Sequence, residues 1–247
     1  YGTLVALTEV IFKTLPAPEE SRTLVIHNLE LEAATELLAQ GINSSNDISG
    51  AIFLPAKSKY IDSKMNIKET FKLNDLKYGG SFTAIRIEGS KKSIEERLQN
   101  IKNELKIINK NISILETHQS KIFWNRVKNL EVFTSTKNNL VRIVIPPSQC
   151  VQLVYQFISS KSNYYIDWGG ALIWLEVYEL TEEMFDSIRK KVVKHGGYIS
   201  MIKTSDYLPY VEEVFTINRT RFNIYQNIKT SFDPKRILNP GKMYTGI

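Results

Sequence analysis

Residues 140–203 place apolar and amphipathic segments in the order strand, helix, strand, strand, helix, strand. The strand segments are rich in apolar and β-branched residues, and they are residues 140–145, 164–167, 171–178 and 198–203. Pro147 favours the start of the first helix, which we predict to run to about residue 159. Thr181 caps the second predicted helix, which ends at His195 before two glycines. This βαββαβ order predicts a ferredoxin-like antiparallel sheet.

The residues before this segment predict further strands and helices. We predict strands at residues 23–28, 50–55 and 81–88, and a helix at residues 31–40 that ends at Gly41. A capping box from Ser93 to Glu96 predicts the start of a longer helix. Its apolar stripe has helical spacing and consists of Ile94, Leu98, Ile101, Leu105 and Ile108. A lysine-rich and asparagine-rich connection precedes residue 140. The chain as a whole is therefore predicted to be α+β, with one antiparallel sheet covered by helices.

The composition is that of a globular protein that needs neither a metal nor a disulfide to fold. The chain has 247 residues, of which 43% are hydrophobic, and this is enough for a sizeable core. Its one cysteine, Cys150, excludes an internal disulfide and indicates a reducing compartment. Cys150 lies in the apolar pattern of a predicted helix, so we interpret it as a small buried hydrophobe. No apolar run approaches the roughly 20 residues that span a bilayer, and no signal peptide is recognisable.

The formal net charge is +6 and the pI is about 9.2. Such a charge suits nucleic acid, an anionic substrate or an acidic partner. The lysines are dispersed along the sequence, which favours a solvated surface over a defined site. A basic ferredoxin-like sheet with aromatic residues is also typical of RNA-recognition domains. However, residues 77–82 do not place glycines and aromatics where that signature has them, so we predict no nucleic-acid binding.

The sequence offers no metal site and no recognisable catalytic set. The histidines, His27, His118 and His195, lack metal-ligand spacing, and no His-Glu-x-x-His pattern occurs. Catalytic groups of the Ser/His/Asp kind assemble only in three dimensions, so no catalytic residue is assigned. No Gly-rich loop joins a predicted strand to a helix, which means that the usual pyrophosphate cradle is not part of this sequence.

The run FDPKRILNPGKMY, residues 232–244, is a distinctive closing segment. Asp233 precedes a proline, which lacks the amide hydrogen and disfavours helical geometry in the residue before it, so a helix must end there. Asn239, Pro240 and Gly241 then predict a tight turn. This turn brings backbone amides, the Asn239 amide and the Lys242 ammonium onto a small surface, which suits an anionic ligand.

Those residues resemble the C-terminus of the FAD-linked oxidases of the vanillyl-alcohol oxidase type, and most closely of the FAD-binding E subunits of bacterial glycolate oxidases. The opening YGTLVALTEVIFKTLPAPE, residues 1–19, is similar to the segment that leads from the flavin domain of that family into its cap domain. Between the two ends lie further similar segments in the same order: IFWNRV, VRIVIPPS, IDWGGALIWL and HGGYISMI. The resemblance therefore covers nearly the whole chain.

The resemblance implies a domain organisation. Residues 1–20 would end the FAD-binding domain, residues 21–215 would form the ferredoxin-like cap or substrate domain, and residues 216–247 would return to the FAD domain as a helix and tail. Because Tyr1 stands inside a recognisable motif, we expect the chain to be part of a longer protein. Most of the FAD site, including the pyrophosphate loop, would then lie upstream.

The resemblance also implies cofactor contacts. Gly2 and Thr3 would lie against the FAD, where a close approach of the backbone requires little or no side chain. Asn239, Gly241 and Lys242 are the other candidates on the cofactor side. This sequence departs from the family pattern at Val5, where a glycine is usual, and the departure affects how tightly FAD is expected to bind. An alternating strand end and a helix stop with an exposed lysine are the structural alternatives for these two segments.

Asp167 and Trp168 form a further candidate surface, for a substrate or a partner, in the turn between two predicted strands. They supply a carboxylate and an indole, which suit the edge of a flavin or a binding surface. The alternative is purely structural. A β-hairpin needs glycine at positive φ, as Gly169 and Gly170 supply, and a neighbouring tryptophan often serves packing.

The function implied is that of an FAD-dependent oxidoreductase subunit that oxidises a small 2-hydroxy acid such as glycolate, although this portion alone is predicted to be inactive. Its partners would be the other glycolate oxidase subunits, a second flavoprotein subunit and an iron-sulfur subunit. A cytoplasmic location follows, with attachment to the inner membrane through those partners as a further option. The alternative is a non-catalytic assembly module that docks on a flavoprotein partner, which the missing pyrophosphate cradle favours.

Overall fold

The structure is a computed structural model of the chain, and it describes residues 1–56, 80–107, 111–133, 138–157, 162–205, 211 and 214–246. Its strands are β1 (Glu20–His27), β2 (Gly50–Leu54), β3 (Phe82–Gly89), β4 (Ile112–Leu115), β5 (Asn139–Val144), β6 (Ser162–Asp167), β7 (Leu172–Val177) and β8 (Tyr198–Lys203). The helices of the described residues are α1 (Leu31–Ile42), α2 (Lys91–Glu104), α3 (Thr117–Lys128), α4 (Cys150–Phe157), α5 (Glu182–Lys194) and α6 (Arg219–Phe232). Short 3-10 turns occupy Pro147–Gln149 and Trp168–Gly170.

The strands form one eight-stranded sheet in the order β4-β1-β3-β2-β6-β7-β5-β8, and every neighbouring pair is antiparallel. This confirms the predicted α+β class. The second half has the predicted βαββαβ order, and its strands lie in the spatial order β6-β7-β5-β8. The first half repeats the same arrangement in β4-β1-β3-β2. The sheet therefore consists of two ferredoxin-like units that join where β2 pairs with β6, at Phe53 and Ile166.

The first unit was only partly predicted, because β4 and α3 fall in the stretch between the predicted α2 and β5 that we described only as a lysine-rich and asparagine-rich connection. β4 is only four residues long. In α3 the buried apolar residues are Phe123, Trp124 and Val127, and most of the other residues are polar, so the helix carries a weak apolar signal. Such short or mixed segments are difficult to recognise from periodicity alone.

Four helices, α1, α2, α4 and α5, cover one face of the sheet and share a single core with both units. That core includes the fully buried residues Leu24, Leu38, Ile94, Val141, Ile166 and Phe185. On the opposite face, α3 covers the first unit and packs on Val25, Ile52, Leu54, Phe82 and Ala84. No helix in the described parts of the chain is both long enough and apolar enough to cross a membrane.

Two predicted helix boundaries are wrong. Helix α1 does not end at Gly41 but continues to Ile42, and Gly41 is buried in its last turn. A Cβ on Gly41 would lie 3.2 Å from the Ile85 Cδ1 atom, so this glycine allows close approach of helix and sheet. Helix α2 begins at Lys91 after the extended residue Ser90, and the predicted capping box at Ser93 therefore lies within its first turn.

Other local predictions hold. The Thr181 hydroxyl accepts a hydrogen bond from the Met184 amide at 3.3 Å and caps α5. Gly196, just after that helix, has φ 77°. Helix α4 ends at Phe157, and the predicted continuation to residue 159 lies outside the described residues. The same is true of Ile108 at the end of the predicted α2 stripe and of residues 77–79 in the RNA-like segment.

We expect the two units to unfold as one body, because the core is continuous across the β2–β6 junction. Ile166→Ala removes three carbons from a fully buried site and is expected to lower the free energy of unfolding by about 3 kcal/mol. Urea denaturation followed by circular dichroism and by tryptophan fluorescence measures this. The matched control is Ile11→Ala, at a side chain that is 90% exposed. Two separate transitions in the wild-type chain would contradict the prediction.

Candidate functional site

The two ends of the chain meet around a buried lysine on α6. Lys229 is fully buried, and its ammonium donates hydrogen bonds to the Thr3 carbonyl at 2.6 Å, the Asp233 carboxylate at 2.7 Å and the Leu238 carbonyl at 2.8 Å. An ammonium has three protons, and all three have a partner here. Lys229 thus joins the first residues of the chain to the segment that follows α6. We call this arrangement, residues 1–3 with Lys229, Asp233 and residues 237–244, the terminal clasp.

Asp233 ends helix α6 and is also part of the terminal clasp. Its carboxylate accepts hydrogen bonds from the amides of Ile237 at 3.2 Å and Leu238 at 2.8 Å, in addition to the Lys229 ammonium. The hydrogen bond from Lys229 lowers the pKa of Asp233 below its ordinary value. A proline after Asp233 ends the helix, and the carboxylate then folds the following residues back towards the ammonium.

The predicted cofactor-side residues come together in this clasp, although more than 230 residues separate them in sequence. The side-chain amide of Asn239 donates to the Tyr1 carbonyl at 3.2 Å and the Gly2 carbonyl at 3.0 Å. The Thr3 hydroxyl donates to the Met243 sulfur at 3.7 Å. The side chains of Asn239 and Thr3 therefore hold the clasp closed. Their contact with a cofactor stays a prediction.

An aromatic cluster ties the clasp to the sheet. Tyr244 is buried and packs against Phe215, Phe222 and Tyr225, with ring centroids 5.8 to 6.2 Å apart. Phe215 also contacts Tyr1 edge-on at 5.2 Å. The backbone around Phe215 pairs with the edge strand β8. The clasp is thus positioned at the β8 edge of the second unit.

The outer side of the clasp is an open, cationic surface. Gly2 and Gly241 have φ of 65° and 72°, and a Cβ added at Gly241 would meet nothing within 4 Å. Lys242 is exposed beside them. Backbone amides at left-handed residues and a free-standing ammonium suit an anionic group such as a phosphate. The contact of Gly2, Gly241 and Lys242 with a cofactor stays a prediction. Val5, which is 44% exposed, stands a few residues from Gly2 in the chain.

Asp167 and Trp168 lie elsewhere, at one end of a cleft on the face of the sheet that carries α3. Within the described residues, no hydrogen bond or ring contact links them to the clasp. The cleft has a volume of about 900 Å³ and runs between α3 and the Asp167–Trp168 corner. Its floor comes from the start of β2 and the middle of β3. Residues used below that line it are Arg86, Lys121, Trp124, Lys128, Asp167 and Trp168.

The α3 side of the cleft is fixed by Trp124. Its indole nitrogen donates to the Thr23 hydroxyl on β1 at 2.8 Å, and the Arg86 guanidinium lies over its ring at 4.9 Å. A Cβ on Gly50 would approach the Trp124 ring to 2.8 Å, so the indole occupies the space that this glycine leaves. Arg86 also pairs with Glu88 at 3.2 Å. This wall is therefore well ordered by specific contacts.

The opposite wall is a strained corner. Trp168 has φ 52°, which is unusual for a residue with a Cβ, and Gly169 and Gly170 follow with φ 62° and 99°. The Trp168 indole is 52% exposed, and the Arg142 guanidinium stacks on it at 4.9 Å. Non-glycine residues held in left-handed geometry concentrate at functional sites, where the surrounding contacts hold them.

The carboxylate at this corner is electrostatically unusual. One oxygen of Asp167 accepts a hydrogen bond from the Trp168 amide at 2.7 Å. Burial raises the pKa of Asp167 above its ordinary value, against the opposing effects of that hydrogen bond and of Arg86 and Arg142. A partly buried carboxylate with a raised pKa, in a cleft, is a typical functional-site candidate.

The structure also locates the remaining sequence candidates. His27 contacts the Ser113 hydroxyl, and His195 contacts the Gln149 side chain, each at 2.9 Å. No group of three or more potential metal ligands occurs in the described part of the chain. Cys150 is fully buried, and burial raises the pKa of its thiol to about 12. It is therefore the small buried hydrophobe that the sequence predicted.

Sequence reasoning missed Lys229, Arg86 and Trp124. A signal for Lys229 exists, because a lysine four residues before a helix-ending Asp-Pro is placed to form an ion pair on one helix face. Trp124 was noticed only as part of the IFWNRV segment. Arg86 had no recognisable signal, because its role depends on contact with residues from β2 and α3 that are distant in sequence.

Comparison with known proteins shows which family and which folds the chain resembles. Residues 171–243 match the family of FAD linked oxidases, C-terminal domain. Among solved structures, 4-ethylphenol oxidase from Gulosibacter chungangensis superposes with a TM-score of 0.57 at 15% identity, over 94% of this chain and 55% of that one. p-Cresol methylhydroxylase gives 0.54 at 12% identity, over 92% and 53%. The fold is therefore that of the FAD-linked oxidases.

Two curated relatives extend the similarity over nearly the whole chain. Glycolate oxidase subunit GlcE of Escherichia coli is 24% identical over 247 residues, which are 99% of this chain and 55% of the relative. Glycolate oxidase subunit GlcD of Bacillus subtilis is 22% identical over 98% of this chain and 55% of its own length. The chain thus spans about half the length of these relatives. The resemblance that the terminal motifs indicated is confirmed, and FAD is the cofactor that it supports.

Replacement of the buried lysine should loosen the terminal clasp. Lys229→Met removes the ammonium from the Asp233 carboxylate and from two backbone carbonyls, so we expect the thermal unfolding midpoint to fall by roughly 5 to 10 °C. Differential scanning calorimetry of the chain measures the change. Lys235→Met, at an exposed lysine in the same tail, is the control and should change the midpoint little. Equal midpoints for the two variants would show that the clasp does not stabilise the fold.

The clasp should also be sensitive to acid. The pKa of Asp233 is lower in the folded chain than in the unfolded one, so the unfolded state binds the proton first as the pH falls. The stabilisation is fully present above the ordinary aspartate pKa of about 4 and is lost below it. Wild type should therefore be more stable than Asp233→Asn at pH 7, and the difference should shrink at pH 3. A difference that is constant between those two pH values would contradict the prediction.

Proposed function

We propose that this chain is the C-terminal portion of an FAD-dependent oxidoreductase subunit that oxidises a 2-hydroxy acid such as glycolate. The observation that carries the proposal is the terminal clasp, in which Lys229 and Asn239 hold together the two family motifs at residues 1–19 and 232–244. The relatives that cover the chain are both glycolate oxidase subunits, which supports the same substrate class.

We further propose that different parts of the chain belong to two domains. Residues 1–20 and 216–247 would belong to the FAD-binding domain, and residues 21–215 would form the cap domain. In support, Lys229 is the one buried residue of α6. The opening segment likewise exposes large apolar side chains, namely Leu7, Ile11, Phe12 and Leu15, each at least 75% accessible. Such surfaces suit a neighbouring domain.

On the cofactor side, Gly2, Gly241 and Lys242 would hold part of the FAD. FAD, when bound, supplies the two-electron acceptor for oxidation of the alcohol. The Lys242 ammonium would neutralise an anionic group of the cofactor, and the glycines would let backbone amides approach it closely. Asn239 and Thr3 would be positioning residues, because their side chains make the hydrogen bonds that fix the backbone of this surface.

The proposed partners are the other glycolate oxidase subunits, a second flavoprotein subunit and an iron-sulfur subunit. The names of both relatives describe subunits, which supports an assembly of several chains. Asp167 and Trp168 would lie at the surface that receives the substrate.

The decisive experiment is the visible absorption spectrum of the protein purified from its native source, together with its intact mass. We expect the bands of oxidised flavin, and we expect them to bleach anaerobically when a 2-hydroxy acid is added. Lys242→Gln should weaken FAD binding about tenfold, whereas Lys235→Gln should leave it unchanged. The enzymatic proposal would be ruled out if the protein lacks flavin as purified and binds none when FAD is added.

A second candidate is a non-catalytic assembly module that docks on a flavoprotein partner. The exposed apolar side chains of residues 7–15 favour it, because they offer a ready interface. Affinity purification from the native source separates the two candidates when the flavin in the recovered complex is assigned to one chain. Flavin on the partner alone would favour the assembly module, and flavin on the protein that contains this chain would exclude it.

A further inference from the structure

The cleft between α3 and the Asp167–Trp168 corner is large for a glycolate site. Its volume of about 900 Å³ is near the top of the range of roughly 300 to 1,000 Å³ that binding pockets for drug-sized ligands occupy. Glycolate has only a few non-hydrogen atoms and no apolar side chain. Glycolate alone would fill little of this cleft, so the cleft has room for a bulkier ligand.

The α3 rim of the cleft supplies the positive charge. Lys121 and Lys128 are two helical turns apart, so they lie on the same face of α3, and both are exposed at the cleft. The third cation, Arg86, is already paired with Glu88 at 3.2 Å and bonded to Ser49. The two lysines are therefore the groups available to a carboxylate that enters from solvent.

The lining of the cleft combines apolar and aromatic residues with polar ones, Glu88 among them. The Trp168 indole is half exposed, and its other face is covered by the Arg142 guanidinium. Ile42, Ile48 and Val127 also line the cleft. An indole that is held in place on one side, and open on the other, is suited to stack on a flat apolar group.

Asp167 supplies a hydrogen-bond acceptor at the same end. Its Oδ1 atom accepts from the Trp168 amide at 2.7 Å, and its Oδ2 atom makes no hydrogen bond within the described residues. A hydroxyl group of the ligand can donate to this oxygen, because both oxygens of an ionised carboxylate accept hydrogen bonds.

We propose that this cleft binds a 2-hydroxy acid with an aromatic or bulky apolar side chain. Lys121 and Lys128 receive its carboxylate, Trp168 contacts its side chain and Asp167 accepts a hydrogen bond from its hydroxyl. The substrate class rests on the proposed function, whereas the size and polarity of the side chain follow from the cleft. The cleft therefore favours a 2-hydroxy acid larger than glycolate.

Isothermal titration of the full chain tests this without any turnover, with 3-phenyllactate and glycolate as the probes. We expect 3-phenyllactate to bind at least tenfold more tightly than glycolate. Trp168→Leu, Asp167→Asn and the double variant Lys121→Gln/Lys128→Gln should each lose about tenfold in affinity for 3-phenyllactate. Circular dichroism and the unfolding midpoint establish that each variant is folded.

Matched controls are Tyr198→Leu, an exposed aromatic residue on β8 outside the cleft, and Lys190→Gln, an exposed lysine on α5 over the opposite face of the sheet. Both should bind 3-phenyllactate as wild type does. Equal affinity for the two acids, or affinity that the three cleft variants retain, would overturn the inference. Flavin content is measured separately. Tight, cleft-dependent binding by a protein without flavin would support the cleft while ruling out the oxidase.

Discussion

The pairing of β2 with β6 is the constraint on which the rest of the structure depends. It joins two ferredoxin-like units edge to edge at Phe53 and Ile166, both of which are buried in the helix-covered core. The pairing also creates the cleft. It brings Gly50 at the start of β2 and Asp167 at the end of β6 to the same cavity, with Trp124 of α3 above. A shift in this register would move the candidate substrate residues to the other face of the sheet.

Two carboxylates illustrate how differently the same residue type is used in the two candidate sites. Asp233 is surrounded by donors, and the Lys229 hydrogen bond lowers its pKa. Within the described residues Asp167 has a single hydrogen-bond donor, the Trp168 amide, and burial raises its pKa. A carboxylate that is fully satisfied holds a structure together, whereas one that keeps an unused oxygen is suited to a ligand. The electrostatics therefore separate the structural centre from the candidate binding centre.

Much of the second unit could be predicted from the sequence. Strand β8 was predicted with the bounds that the structure has, and the cap at Thr181 is present. The first unit was harder, because β4 is short and the apolar residues of α3 are interrupted by polar ones. For the sites, the terminal motifs allowed Gly2, Asn239 and their neighbours to be selected by resemblance. The cleft could not be found in this way, since α3, β2, β3 and the β6 corner come together only in the folded chain.

The terminal clasp has a consequence for how the protein is made. Thr3 and its partner Lys229 are 226 residues apart, so the whole intervening chain is synthesised before this contact can form. Residues 1–3 therefore lack their partner throughout that time. Contacts between such distant residues form late and leave nascent chains open to aggregation. We expect ribosome-associated chaperones to shield the apolar side chains of the opening segment during this interval.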